Sequence, residues 1–239
     1  CSNNRDRCDR RKRGSVSRII ITGASDGIGK SIALKLAQEG HTLVLFGRNE
    51  ERLKDVAEKS GNAEYYAFNL NDSEARSDAV NKVLSKGNVD ILINNAGIWH
   101  KMGDLETIAD EKIIEVINTN LTSQILLTKQ LLPYIRNRDG SFIINVVSKS
   151  GIATQDGQSV YSASKWGLRG FTDVLRADTK DDKVTVVGVY QSGTNTKLFE
   201  KAGEDFPVET FTNPNDLASV IAFIIDQPPN LKIHEIRID

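Results

Sequence analysis

Short apolar runs, rich in Ile, Val and Leu, recur along the chain, and most are followed by a stretch with helical spacing. The runs are Ile19–Ile21, Thr42–Phe46, Tyr65–Leu70, Val89–Ile93, Phe142–Val147 and Val184–Val189. They are short enough for strands and mostly lack the polar alternation of a half-exposed sheet. Strands buried on both faces read this way, and they belong to a parallel sheet with helices above and below. Helices are expected from Ile28 onward and at 49–59, 72–85, 110–136, 158–178 and 213–226, with a last strand near 231–238. No repeat, linker or second core interrupts the series. The sequence predicts a single doubly wound α/β domain over 18–239.

Charge and composition remove several alternatives. The formal net charge is −1, so the chain as a whole offers no electrostatic attraction to nucleic acid or to an acidic membrane. No apolar run approaches the ~20 residues that span a bilayer. A cytoplasmic location is therefore expected. The only cysteines, Cys1 and Cys8, lie at one end, which argues against a disulfide scaffold or a thiolate-held metal. His41, His100 and His234 are scattered, so no metal site is expected. Residues 1–17 carry Arg5, Arg7, Arg10, Arg11, Lys12 and Arg13 against Asp6 and Asp9. That run reads as a solvated, disordered arm or a remnant of processing. Its use as a nucleic-acid or surface contact is the minor alternative.

The first strand leads into Thr22-Gly23-Ala24-Ser25-Asp26-Gly27-Ile28-Gly29. Glycine permits positive φ and close backbone approach. The helix that follows offers unpaired N–H groups and the positive end of its dipole, where a pyrophosphate fits. The spacing is Gly-x-x-x-Gly-x-Gly, which differs from the general dinucleotide fingerprint. Farther on, Tyr161 and Lys165 lie on one face of a predicted helix, four residues apart. Ser148 precedes them at the end of a strand. A free phenol titrates near ~10, too high for ready proton exchange at neutral pH. An ammonium about 4 Å away, at an effective dielectric near 20, favours the phenolate by roughly 4 kcal/mol. That pairing is expected to bring the tyrosine close to working pH.

Taken together, Thr22–Gly29, Asn94-Asn95-Ala96-Gly97, Asn120, Ser148, Tyr161 and Lys165 resemble the short-chain dehydrogenase/reductase family, in order and spacing. The resemblance runs from about Arg18 to the end of the chain. It implies a Rossmann-type domain with about seven parallel strands, and hydride transfer between a nicotinamide and a carbonyl or alcohol carbon. By the same resemblance Tyr161 is the acid/base, and Ser148 holds the reacting oxygen. Lys165 lowers the tyrosine's pKa and binds the nicotinamide ribose. Asn120 bends its helix locally and holds a water. No metal is needed for this chemistry. A homo-oligomer, dimer or tetramer, is also implied. A nucleotide-sensing protein of the same fold without turnover is the alternative.

The cofactor expected from these residues is NADP(H), with NAD(H) possible. At the end of the second strand the family's NAD-selecting acid is missing, and Gly47 is followed by Arg48, which suits a 2′-phosphate. Ser25 also suits that phosphate, whereas Asp26 is expected to repel it. Gly23, Gly27, Ile28, Gly29, Asn95, Ala96 and Gly97 are implied in cofactor binding, with Thr194 and Thr196 beside the nicotinamide. Asn69-Leu70 stand where the family has an acid against adenine. Gln191-Ser192 replace the usual Pro-Gly turn. Trp99, Ser148, Ser150, Tyr161 and Gln191 are expected to line a pocket for a small carbonyl or alcohol substrate, closed by the loop 197–208.

Overall fold

In the computed structural model, residues 16–61, 63–228 and 230–239 are described. Most of the expected basic arm, residues 1–15, lies outside them. Seven strands alternate with helices: β1 (Arg18–Thr22), α1 (Gly27–Gln38), β2 (Thr42–Gly47), α2 (Glu50–Lys59), β3 (Glu64–Ala67), α3 (Ser73–Ser85) and β4 (Ile91–Asn94). Then come α4 (Asp110–Ile117), α5 (Ser123–Ile135), β5 (Phe142–Val146), α6 (Ser159–Asp178), β6 (Thr185–Gln191), α7 (Pro214–Ile225) and β7 (Glu235–Ile238). Several helices start where a side chain takes up a free N–H. Asp26 accepts from Gly27, Asn49 from Arg52, Asp72 from Glu74 and Ala75, and Asn213 from Asn215 just ahead of Pro214.

The strands form one parallel sheet in the order β3-β2-β1-β4-β5-β6-β7. Side-chain alternation divides the core into two layers. Ile19 and Ile21 of β1 join Phe142, Ile144 and Val146 of β5 under α1 and α7. Ile20 and Ile143 point the other way, toward Val80 and Val83 of α3 and Leu127 and Leu131 of α5. Strand order reverses between β1 and β4, which opens a crevice at their carboxyl ends.

Two predicted elements differ in detail. The third strand ends at Ala67, which frees Phe68, Asn69 and Leu70 to line the crevice mouth. The single helix expected over 110–136 is broken at Asn118–Thr122 by a π-turn between α4 and α5. The inserted wide turn carries Asn120 inward, where it is fully buried.

Candidate active site

The glycine turn after β1 is held in a shape that side chains would obstruct. Gly23 and Gly27 have φ of +66° and +52°, and a Cβ on Gly29 would meet the Gly23 carbonyl oxygen at 2.3 Å. Behind the turn, Thr22 Oγ1 accepts from the Asn95 and Ala96 N–H groups, both at 2.9 Å. Asn95 Nδ2 returns a bond to the Thr22 carbonyl at 2.9 Å. The ends of β1 and β4 are thereby locked together, with Gly97 close to Asn120 and Lys165. A buried amide chain carries the frame onward. Asn94 Nδ2 donates to Thr128 Oγ1 and Asn145 Oδ1, and Asn145 Nδ2 donates to Thr172 Oγ1 on α6.

The helix α6 brings Tyr161 and Lys165 to this crevice, both buried. Tyr161 and Ser148 line the same cleft, and the Ser148 hydroxyl acts to lower the tyrosine's pKa. Ser148 has φ of 126°, the sole positive φ outside glycine among the described residues. Such backbone costs of order 1–3 kcal/mol and persists only where its surroundings enforce it. Gly151 permits the tight approach of this turn to α6, since a Cβ there would come within 2.9 Å of the Lys165 carbonyl oxygen. Lys165 Nζ donates to the Val146 carbonyl at 3.0 Å. Asn120 lines neither cleft. Its Oδ1 accepts from Ile98 N at 2.8 Å, and its Nδ2 donates to Ile98 O and to Ser164 Oγ. It fastens the loop after β4 to α6.

The acid–base balance differs from the sequence expectation. Burial pushes Tyr161 up to about 12, with the Ser148 hydroxyl opposing, and burial pulls Lys165 down to about 7. Lys165 Nζ lies 5.7 Å from the Tyr161 ring centroid, so its pull on the hydroxyl does not overcome desolvation of both groups. The protein's own groups hold the phenol in its proton-bearing form.

Two clefts meet at Tyr161. The first, about 360 Å³, runs from Gly23, Ser25, Asp26, Gly27 and Ile28 past Arg48, Asn69 and Leu70, then past Asn95, Ala96 and Gly97 to Lys165 and Thr196. The second, about 530 Å³, is lined by Trp99, Ser148, Ser150, Gln158 and the segment from Leu198 to Thr212. Ile28, Tyr161, Gln191, Thr196 and Leu198 belong to both. Thr194, expected beside the cofactor, falls in the second cleft and not the first, because its bridge to Thr212 pulls it toward the lid. Trp99 packs on Tyr161 with centroids 4.3 Å apart, and Phe199 packs edge-on against Trp99 at 5.0 Å. These aromatic residues both seal the lid and wall the cleft.

Sequence reasoning missed Arg52 and Lys201, which line the first cleft beside Arg48. Both engage Asp26, Arg52 at 3.2 Å and Lys201 at 2.8 Å. The repulsion expected from Asp26 is thus offset by two cations. Arg52 was legible in principle, since it lies one helical turn after the Arg48-Asn49 cap. Lys201 comes from a distant lid segment and left no local signal.

An open parallel sheet, a glycine-turn cleft at its switch point and a buried Tyr-Lys helix together define a dinucleotide-binding fold with an acid–base site. The chain belongs to the short chain dehydrogenase family, whose model matches residues 17–206. It is 35% identical over 219 residues to the 3-oxoacyl-[acyl-carrier-protein] reductase FabG of Thermotoga maritima, covering 86% of this chain and 88% of that one. It is 38% identical over 203 residues to dehydrogenase/reductase SDR family member 7B of Xenopus laevis, covering 78% and 61%. The closed form of serine dehydrogenase complexed with NADP+ superposes with a TM-score of 0.84 at 26% identity, covering 92% and 93%. The chain is an NAD(P)-dependent oxidoreductase of this family. No helix among the described residues is long and apolar enough to cross a membrane.

Proposed function

We propose that this protein interconverts a small-molecule carbonyl and alcohol using NADP(H), with Tyr161 as the proton-transferring group. One observation carries the reading: Tyr161 stands where the two clefts meet, with Ser148 on the second cleft and Lys165 on the first. The glycine turn fits a dinucleotide, because it admits close backbone approach and opens onto the start of α1, where the first-turn N–H groups of Ile28 and Gly29 have no helical partners. Lys165 and Thr196 would hold the nicotinamide end, and Asn69 with Leu70 the adenine end. Bound there, the cofactor supplies or receives the hydride. In the reducing direction Tyr161 gives its proton to the carbonyl oxygen, and the Ser148 hydroxyl donates a hydrogen bond to that oxygen as charge develops. The reverse direction requires Tyr161 to accept the alcohol proton.

Arg48, Arg52 and Lys201 support NADP(H) over NAD(H). Arg48 has a side chain 61% exposed, and its ion pair to Glu115 is stretched to 3.8 Å. Parallel titrations decide the point; NADH binding as tight as NADPH would refute it. For the reaction, NADPH oxidation with a carbonyl panel is the test. Turnover that survives Tyr161→Phe would remove the mechanism, whereas absence of turnover in the native protein would favour a non-catalytic nucleotide sensor. We also assign the protein to the cytoplasm and to a homo-oligomer. Ile114 on α4 with Trp166 and Val174 on α6 present exposed apolar surface that a second copy would cover, and a purely monomeric sedimentation profile counts against this.

A further inference from the structure

Gln191 stands at the junction of the two clefts, and its side-chain carbonyl has no partner in the protein. The residue is 8% exposed, and its Oε1 is buried without a hydrogen-bond partner. A buried amide left unmade is unfavourable, and such groups in a cleft are satisfied by what binds there. The junction also contains Tyr161, so the amide and the reactive phenol border the same space.

The rest of the second cleft narrows the chemistry further. Trp99, Phe199 and Phe206 give it an aromatic wall. Its only charged lining groups are Lys149 and Asp239, and these neutralise each other at 2.6 Å. No unpaired charge among its lining residues awaits a carboxylate or an ammonium. A charged substrate would therefore lose its hydration without gaining a partner.

Resting on the oxidoreductase reading above, the geometry points to Gln191 as the specificity-determining residue of this site. It selects uncharged ketones or alcohols that carry a further hydroxyl beside the reacting carbon. The orphaned Oε1 accepts, so a neighbouring hydroxyl that donates to it satisfies it. A hydrocarbon ketone leaves it unpaired, and a site built to bond a polar group discriminates strongly against the analogue that lacks it.

The test uses the full chain with NADPH and three ketones: cyclohexanone, α-hydroxycyclohexanone and a cyclohexanone bearing a ring carboxylate. The α-hydroxy ketone is expected to exceed cyclohexanone in kcat/KM by about tenfold or more, with the carboxylate poorest. Gln191→Leu brings the first two within about twofold of each other, while the Kd for NADPH holds. Gln191→Asn serves as the second variant if the leucine protein melts early. Calorimetric binding of the same ketones to the NADP+ complex reads the ratio without turnover. Absence of turnover alone sinks the oxidoreductase reading, whereas the binding ratio still judges Gln191. Equal ketones in the native protein, a ratio that survives Gln191→Leu, or a preferred carboxylate overturns the inference. Weakened NADPH binding with the ratio intact assigns the amide to the cofactor and overturns it too.

Discussion

The two clefts that meet at Tyr161 are built from different materials. The first is shaped by backbone: a glycine turn, a helix N-terminus, and strand ends locked by Thr22 and Asn95. The second is shaped by side chains from distant segments, with Trp99 from the loop after β4 meeting Phe199, which in turn packs against Phe206 and Phe211. A backbone-built cleft tolerates no added atom yet can accept any chain that keeps its glycines. A side-chain-built cleft can be repacked, so substrate choice can change while the cofactor site stays fixed.

Substitutions break this contrast at different strengths. Tyr161→Phe, at the junction, is expected to lower kcat by about a hundredfold to ten-thousandfold in either direction, with cofactor Kd retained, as steady-state rates and fluorescence titration would show. Gly29→Ala forces a methyl against the Gly23 carbonyl. It is expected to lower stability by about 1–3 kcal/mol in denaturant unfolding and to remove thermal protection by NADPH. Arg48→Ala and Lys201→Ala should each weaken NADPH about tenfold and leave NADH nearly unchanged, read by parallel titration. Phe199→Ala on the lid should raise substrate KM by about threefold to tenfold with little change in cofactor Kd.

Acidity gives two further readouts. Tyr161 keeps its proton below about 12, so carbonyl reduction should vary little with pH through neutrality, whereas alcohol oxidation needs the phenolate and should climb as pH rises. For Lys165, the folded pKa of about 7 lies below the ordinary lysine value of 10.5, so the unfolded chain binds more protons between those values. Stability should therefore rise with pH across that window, and the penalty for the buried ammonium is fully present below it. Lys165→Met should raise the melting temperature most near pH 6, with the gain shrinking toward pH 10. A constant gain across that range would show that the lysine is not desolvated as the structure has it.

Much of the first cleft was legible in the chain because its requirements are local. Gly23, Gly27 and Gly29 announce positive φ and close approach within one strand–turn–helix unit, and Arg48 marks the end of β2 where a ribose substituent would lie. The spacing of Tyr161 and Lys165 likewise declares a helix face. Local spacing misjudged the acid–base balance, because it shows the neighbouring charge and not the burial that opposes it. Thr194 lines the second cleft because its bridge to Thr212 joins segments the sequence does not mark as partners. Lys201 was missed because its partner Asp26 lies 175 residues away in the sequence.

The sequence by itself determined a parallel sheet with helices on both faces, a backbone pocket after the first strand, and a tyrosine and lysine on one helical face. Periodicity, glycine placement and short-range spacing are properties of adjacent residues, and they survive without any knowledge of packing. Tertiary structure alone decided that Asn120 ties the loop to α6, that Asp26 is neutralised, and that Gln191 keeps an unpaired carbonyl between two clefts. Those outcomes depend on which distant groups are desolvated together, and burial is a property of the whole fold.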